Sequence, residues 1–363
     1  MMGSMSTNPA IHPVGASPYR WTIVRGALVA VVMLVALVAV VGNASGAVPA
    51  TQESSPSTPI VPFGAVIKPA VAAKGHDISG SIAMPGGGLR TYTLYVPKSL
   101  PKATPVPLLV GLHGGLGSGR QFEQNTDFDG LAEANRFIVV YPNGTPISPA
   151  APNRLVWNGG GCCSVAEQSQ QNVNDVGFIS ALINKMEHQY DIDKSRVYAT
   201  GHSNGAILAE RLACQLSNQI VAIGVQAGDL FVNSCVTSHP VAVLEIHGTD
   251  DQNIPINGGV GSRSLTQADF PPPVDGLKTL AAQDACPSTP TTRVDPSNSA
   301  VNFEIWQPCH AGTVVEWAKV TGANHAWMGH PASPGTQSLV GTAYMGFDSS
   351  AAVWSFLSAH ARQ

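Results

Sequence analysis

Charge is scarce in this 363-residue sequence. Asp, Glu, Lys and Arg together make up 12% of it, and the net charge is −4. A chain so thinly and slightly negatively charged has no basic footprint with which to hold nucleic acid or an anionic membrane surface. No internal repeat and no heptad pattern is visible, which leaves solenoid and coiled-coil architectures without support. The cysteines form no C-x-x-C pair and no Cys/His pair at ligand spacing, so a zinc site has no ligand set. The glycine-rich stretch "HGGLGSG" is not a dinucleotide loop, because no helix start with an acidic partner follows in register. No cofactor or metal is expected.

Apolar residues are plentiful at 44%, enough for one large core or two small ones. At the N-terminus Arg20 and Arg25 precede sixteen uninterrupted apolar residues, Gly26 to Val41, and Ser45-Gly46-Ala47 fits a small-x-small cleavage site. Residues 1–47 therefore read as a signal peptide or, if uncleaved, a single anchor that is the only membrane contact. Residues 48–65 are rich in Ser, Thr and Pro and read as an extended linker. Either fate of the first segment places the rest, 66–363, outside the cytoplasm as one domain. The six cysteines agree, since outside the cytoplasm an even number favours disulfides. Proximity pairs Cys214 with Cys235 and Cys286 with Cys309. Adjacent Cys162 and Cys163 are expected to bond elsewhere more easily than to each other.

Along 66–363, "GSIAMPGGGLRTYTLYVP" reads as a hairpin, and "VPLLVGLHGG" as a buried strand feeding a loop. Helical and strand patterns then alternate to a last strand, "GTVVEWAKVTG", and a closing helix, "SAAVWSFLSAHA". A long, mostly polar excursion from about Pro255 to Pro308 interrupts them. Such alternation predicts an α/β fold: a mostly parallel sheet covered by helices on both faces, with an antiparallel leading hairpin.

The stretch "RVYATGHSNGAILAERLAC" carries the chemistry. A short β-branched strand runs through Gly201-His202-Ser203-Asn204-Gly205 into a helix whose apolar residues Ile207, Leu208, Leu212 and Leu216 recur at helical spacing. G-x-S-x-G between strand and helix is the nucleophile elbow of α/β-hydrolases, where the serine is strained and the glycines admit close approach. A serine nucleophile needs a base, and the base an acid, in the chain order Ser, Asp or Glu, His. Asp250 and Asp251 follow the strand "VAVLEI" and compete for the acid's place. His325 follows the last strand and is preferred as base over His330, five residues on. Two N–H donors for an oxyanion fall at Asn204, after the serine, and at Gly115 in "HGGLGSG", with Leu116 as second choice for the latter. Trp157 and Trp327 are placed either in the acyl pocket or in the core. Asp175 reads as a helix cap.

Six segments in order, "LLVGLHGG", "YPNG", "WNGGGCCS" with "NDVGFI", "RVYATGHSNGAILAERLAC", "HGTDDQNIP" and "GANHAW", resemble the secreted polyhydroxybutyrate depolymerase-like esterases, which include feruloyl and acetyl xylan esterases. The resemblance covers nearly all of residues 80–330. It implies an α/β-hydrolase fold and a triad of Ser203, Asp251 and His325. It also implies that the cysteines from Cys162 onward form a disulfide framework. Asn324-His325-Ala326-Trp327 departs from the family's commoner Gly-His-Thr-Trp. The chain ends one helix after His325, which tilts the expectation from solid polymer toward soluble or polysaccharide-linked esters. The expected function is a secreted, monomeric serine ester hydrolase that works through an acyl-enzyme. Its substrates would be short-chain, feruloyl or acetyl esters of polysaccharide, or hydroxyalkanoate esters. The rival expectations are a non-catalytic binding protein on the same scaffold and a peptidase of the same fold.

Overall fold

The computed structural model describes residues 75–85, 88–162 and 173–363. The apolar N-terminal segment, the linker and Cys163 lie outside these residues.

Ten strands form one sheet. In chain order they are β1 (His76–Ala83), β2 (Leu89–Val96), β3 (Val106–Leu112), β4 (Ile138–Pro142) and β5 (Ile192–His202), then β6 (Ala222–Gln226), β7 (Ala242–Gly248), β8 (Thr291–Val294), β9 (Val301–Trp306) and β10 (Val315–Val320). Their spatial order is β1-β2-β4-β3-β5-β6-β7-β10-β9-β8. The six strands from β4 to β10 in that order are mutually parallel. The antiparallel hairpin β1–β2 closes one end, as the sequence predicts. A second antiparallel pair, β9 and β8, closes the other. That pair lies inside the polar excursion, which reads as loop because alternation over four to six residues is masked by exposed Thr and Arg.

The inner parallel strands β3, β4 and β6 are buried throughout, so their sequences are almost continuously apolar. Successive side chains still part to opposite sides. In β3, Leu108, Val110 and Leu112 enter one core, and Leu109 the other. The first core is covered by α3 (Asp175–Gln189), α4 (Asn204–Gln215) and α5 (Pro273–Gln283), through Phe178, Leu182, Leu208, Leu212 and Leu277. The second is covered by α1 (Gly119–Thr126), α2 (Phe128–Asn135) and α7 (Ser349–Ser358), through Phe122, Ala132, Val353 and Trp354. A short helix, α6 (Pro334–Val340), buries no residue of its own.

The chain winds outward from β3 in both directions: to β4 on one side and, after crossing back, to β5 on the other. The carboxyl ends of β3 and β5 therefore flank the point where the winding reverses. In an open α/β sheet this is where a ligand crevice forms.

The Cys214–Cys235 and Cys286–Cys309 bonds are both formed. Cys162 is disulfide-bonded too. With the four other cysteines already paired among themselves, the expectation that Cys162 would bond to one of them is corrected.

Candidate active site

At the end of β5 the backbone turns so sharply that Ser203 takes φ 55° and ψ −123°. Positive φ is costly for a residue with a Cβ, and it persists here because strand and helix over-determine it. A Cβ on Gly201 would lie 2.5 Å from the Gly205 carbonyl group, and one on Gly205 2.3 Å from the Leu112 carbonyl oxygen. Only glycine fits at either place. The turn sets Ser203 half-exposed at the N-terminus of α4.

His325 and Asp251 arrive from loops after β10 and β7. The Ser203 hydroxyl lies 2.9 Å from His325 Nε2, and His325 Nδ1 donates to Asp251 Oδ2 at 2.7 Å. Because the carboxylate accepts at Nδ1, the tautomer leaves Nε2 free to accept the serine proton. Asp251 Oδ1 accepts the N–H groups of Asn253 (2.8 Å) and Ile254 (2.9 Å). Burial alone would raise the Asp251 carboxyl; the charge and hydrogen bond of His325, the charge of His247 and the Ile254 N–H outweigh it and hold it at about 2. The two aspartates that compete in sequence are thus separated. Asp251 is buried against His325, whereas Asp250 is exposed and accepts from its neighbour Thr249. His330, the alternative base, instead pairs with Asp348 at 3.2 Å.

Opposite the serine runs the β3 loop. The Leu116 N–H is committed to Leu155 O at 2.8 Å. The Gly115 N–H makes no hydrogen bond among the described residues. Asn204, first in α4, has an N–H that the helix itself cannot pair. The Asn204 side chain is fixed by the Trp157 backbone, accepting its N–H at 2.7 Å and donating to its carbonyl at 3.1 Å. His113 Nε2 accepts the Gly144 N–H (3.0 Å), so Nδ1 donates to Gly114 O (2.8 Å). Burial pushes the His113 imidazole down to about 4, so it stays neutral and holds the loop.

A cavity of about 220 Å³ opens above these groups. Ile207, Ile254, Leu265, Phe270, Leu339 and Val340 give it an apolar wall, and Trp327 lies at its base. Trp327 packs edge-on against Phe122 and His202 and donates through Nε1 to Ser350 Oγ at 2.9 Å. Trp157 is on the core side of its two sequence-derived alternatives. It is 1% exposed, its indole donates to His113 O at 2.9 Å, and it does not reach the cavity. The pocket reading for Trp157 is corrected on that ground. Asp175 is likewise not a cap: Asn174 caps α3, and Asp175 is buried between Arg90 Nη2 (2.6 Å) and the Asn158 N–H (2.7 Å).

Three supporting residues are invisible to motif reasoning. His202, second in the pentapeptide, donates through Nε2 to the His325 carbonyl at 2.6 Å. Gln226, at the end of β6, donates to Ala326 O (2.9 Å) and accepts from Met328 N (3.1 Å) and Ser349 Oγ (2.6 Å). Together they clamp the loop that carries the imidazole. The third is His247, on β7 behind Asp251. The only signals for them are a polar residue at the carboxyl end of a buried strand, and a histidine inside each of two motifs.

A mostly parallel sheet with helices on both faces and a Ser-His-Asp chain at its switch point define the α/β-hydrolase class. The chain belongs, more narrowly, to the esterase PHB depolymerase family, whose model matches residues 90–269. A bifunctional acetylxylan esterase/xylanase of Neocallimastix patriciarum is 27% identical over 243 residues, 66% of this chain and 31% of that protein. A probable feruloyl esterase C of Aspergillus clavatus is 30% identical over 206 residues, 54% of this chain and 69% of that one. An acetyl xylan esterase structure from Aspergillus awamori matches 72% of this chain and 97% of its own, at 16% identity and a TM-score of 0.49. The chain thus spans less than a third of the length of the first of these relatives.

Proposed function

We propose that the protein is an exported serine carboxylic ester hydrolase. Ser203 attacks the ester carbonyl, and His325 takes its proton and returns it to the leaving alcohol. Asp251 orients His325 and balances its transient charge. The N–H groups of Gly115 and Asn204 receive the oxyanion, each donor being worth about 3 kcal/mol in the transition state. Water then releases the acyl group by the same steps. The observation that carries this reading is the unbroken chain from the Ser203 hydroxyl through His325 to Asp251.

Membership of the family and the names of its relatives support feruloyl, acetyl or hydroxyalkanoate esters as substrates, with polysaccharide as the alcohol part. An acetyl group would leave most of the cavity empty, so its apolar wall favours a longer or aromatic acyl group. All the proposed catalytic groups come from one chain, consistent with a monomer. Disulfides among the described residues suit a compartment outside the cytoplasm.

The test is hydrolysis of p-nitrophenyl acetate, p-nitrophenyl butyrate and methyl ferulate by the parent and Ser203→Ala side by side. Activity abolished by the substitution is expected, with the ferulate or butyrate ester preferred to acetate. A folded parent inert toward all three esters, and unreactive with a fluorophosphonate probe, would move the reading to a binding protein on a hydrolase scaffold.

A further inference from the structure

Glu245 and His247 sit two residues apart on β7, so their side chains share one face of the strand. Both are fully buried. His247 Nδ1 is 2.9 Å from Glu245 Oε1, and Nε2 is 2.9 Å from the Ile254 carbonyl oxygen and 3.6 Å from Asp251 Oδ2. With Glu245 as the carboxylate, every partner of the ring is an acceptor. A neutral imidazole has one N–H and satisfies only one of them; an imidazolium satisfies both. The Asp251 oxygen that His247 approaches is the one that accepts from His325. Five groups therefore stand in line: Glu245, His247, Asp251, His325 and Ser203.

We infer that His247, held as an imidazolium between Glu245 and Asp251, is a positioning residue that steadies the triad acid and sets the acid limit of the reaction. This rests on Ser203 and His325 being the reacting pair. A positive ring on the far side of Asp251 offsets part of the negative field that the carboxylate directs at His325. The base then gives up its proton at a lower pH than it would beside a lone buried aspartate. The second hydrogen bond of the ring, to Ile254 O, ties it to the segment whose N–H also holds Asp251 Oδ1. Charge and orientation are thus delivered by the same side chain.

The groups that face His247 favour its charge. Burial by itself would lower the imidazole, but the Glu245 hydrogen bond and the charges of Asp251 and Glu245 raise it to about 9. Beyond Glu245 stand Glu210 of α4 and Asp229 after β6, both buried and both shifted toward the neutral acid. Asp275 of α5 adds a weaker negative contribution at Asp229. On the far side of the triad His202 is held neutral, its imidazole pushed down to about 3 by burial and by His325.

Two experiments on the full chain decide the matter. In the first, the parent carries ¹⁵N-histidine, and the His247 resonances are identified by their loss in His247→Gln. Two ring N–H signals and imidazolium shifts at pH 7 are expected. A neutral ring, with the proton on Glu245, overturns the inference whether or not an ester has been found. In the second, the pH profile of kcat/KM is compared between the parent and the double variant Glu245→Gln/His247→Gln, which removes both charges together so that Glu245 is not left as a buried carboxylate facing a neutral side chain. The acid limb should move to higher pH by about one unit. An acid limb unmoved in the folded double variant overturns the inference, even if kcat falls. Absence of activity in the parent would instead count against Ser203 and His325 as the reacting pair.

Discussion

Asp251 is the residue on which the proposed chemistry turns, because it faces His325, His247 and two backbone N–H groups at once. Its carboxyl is held at about 2 against an ordinary 3.8. The folded state binds fewer protons there than the unfolded chain, so Asp251 contributes stability above about pH 4 that is lost as pH falls toward 2. Asp251→Asn should leave the fold intact while lowering kcat by about 10³–10⁴-fold, with KM little changed, because an amide presents the wrong partner to His325. Steady-state kinetics at pH 7 checks this. At this scale the sequence is legible where chemistry dictates both residue type and order. Ser203 and His325 follow from the elbow and from the last strand. The choice between Asp250 and Asp251 needs the family pattern, since both follow the same strand and only burial distinguishes them. His202 and Gln226 are not legible, because each acts through a contact with a segment remote in sequence; His247 is not, because nothing in its local pattern shows that strand and loop bury it between two carboxylates.

Among the elements, β5 and α4 form the most tightly specified junction. Gly205→Ala would drive a methyl group into the Leu112 carbonyl with no flexible neighbour to yield. It should cost about 3 kcal/mol or more, seen in denaturant unfolding, and abolish activity together with the elbow. The opposite extreme is α6, which has no fully buried residue and is tied down by polar contacts. Asn253 Nδ2 donates to Leu339 O at 3.2 Å, Arg263 Nη2 donates to Ser338 O at 2.7 Å, and Gln121 donates to the Thr336 hydroxyl. Leu339 and Val340 of this helix line the cavity. Arg263→Ala should therefore raise KM about threefold to tenfold for methyl ferulate while leaving p-nitrophenyl acetate nearly unchanged. Equal effects on both esters would count against a role for α6 in acyl recognition. Elements with a strong local pattern are readable in advance: helical spacing in α3 and α4, and a continuous apolar run in β3. The missed ones, α5, β8 and β9, lie in the excursion. They owe their order to packing on the sheet and to the Cys286–Cys309 bond rather than to a local pattern.

On the scale of the whole domain, stability responds to redox state and to pH. The Cys214–Cys235 bond joins the end of α4 to the segment before β7 across 21 residues. Closing a loop of that size is worth about 3 kcal/mol. Replacing both cysteines with Ser should lower the unfolding free energy by about that amount, and a reductant should lower the Tm of the parent. Asp229 gives the pH response. Burial pushes its carboxyl up to about 8, with the Glu245 charge adding to the effect and the Leu230 N–H and His247 opposing it. The folded state here binds more protons than the unfolded chain between about pH 4 and 8, so stability falls as pH rises through that window. Asp229→Asn should remove that fall, and its gain over the parent should grow by about 2 kcal/mol between pH 5 and pH 8 in chemical denaturation.

The two antiparallel pairs at the ends of the sheet have a consequence for the molecule's company rather than for its chemistry. The inner parallel strands between them are largely apolar, and an open edge on such a strand would template the addition of a second chain. The edge is instead surrendered to β1 and β8. The first of these carries mostly exposed residues, including Asp77; the second is four residues long and exposed throughout, with Arg293 at its third position. Short, charged and polar borders make poor templates for another strand. Such borders disfavour the addition of an eleventh strand from a neighbour.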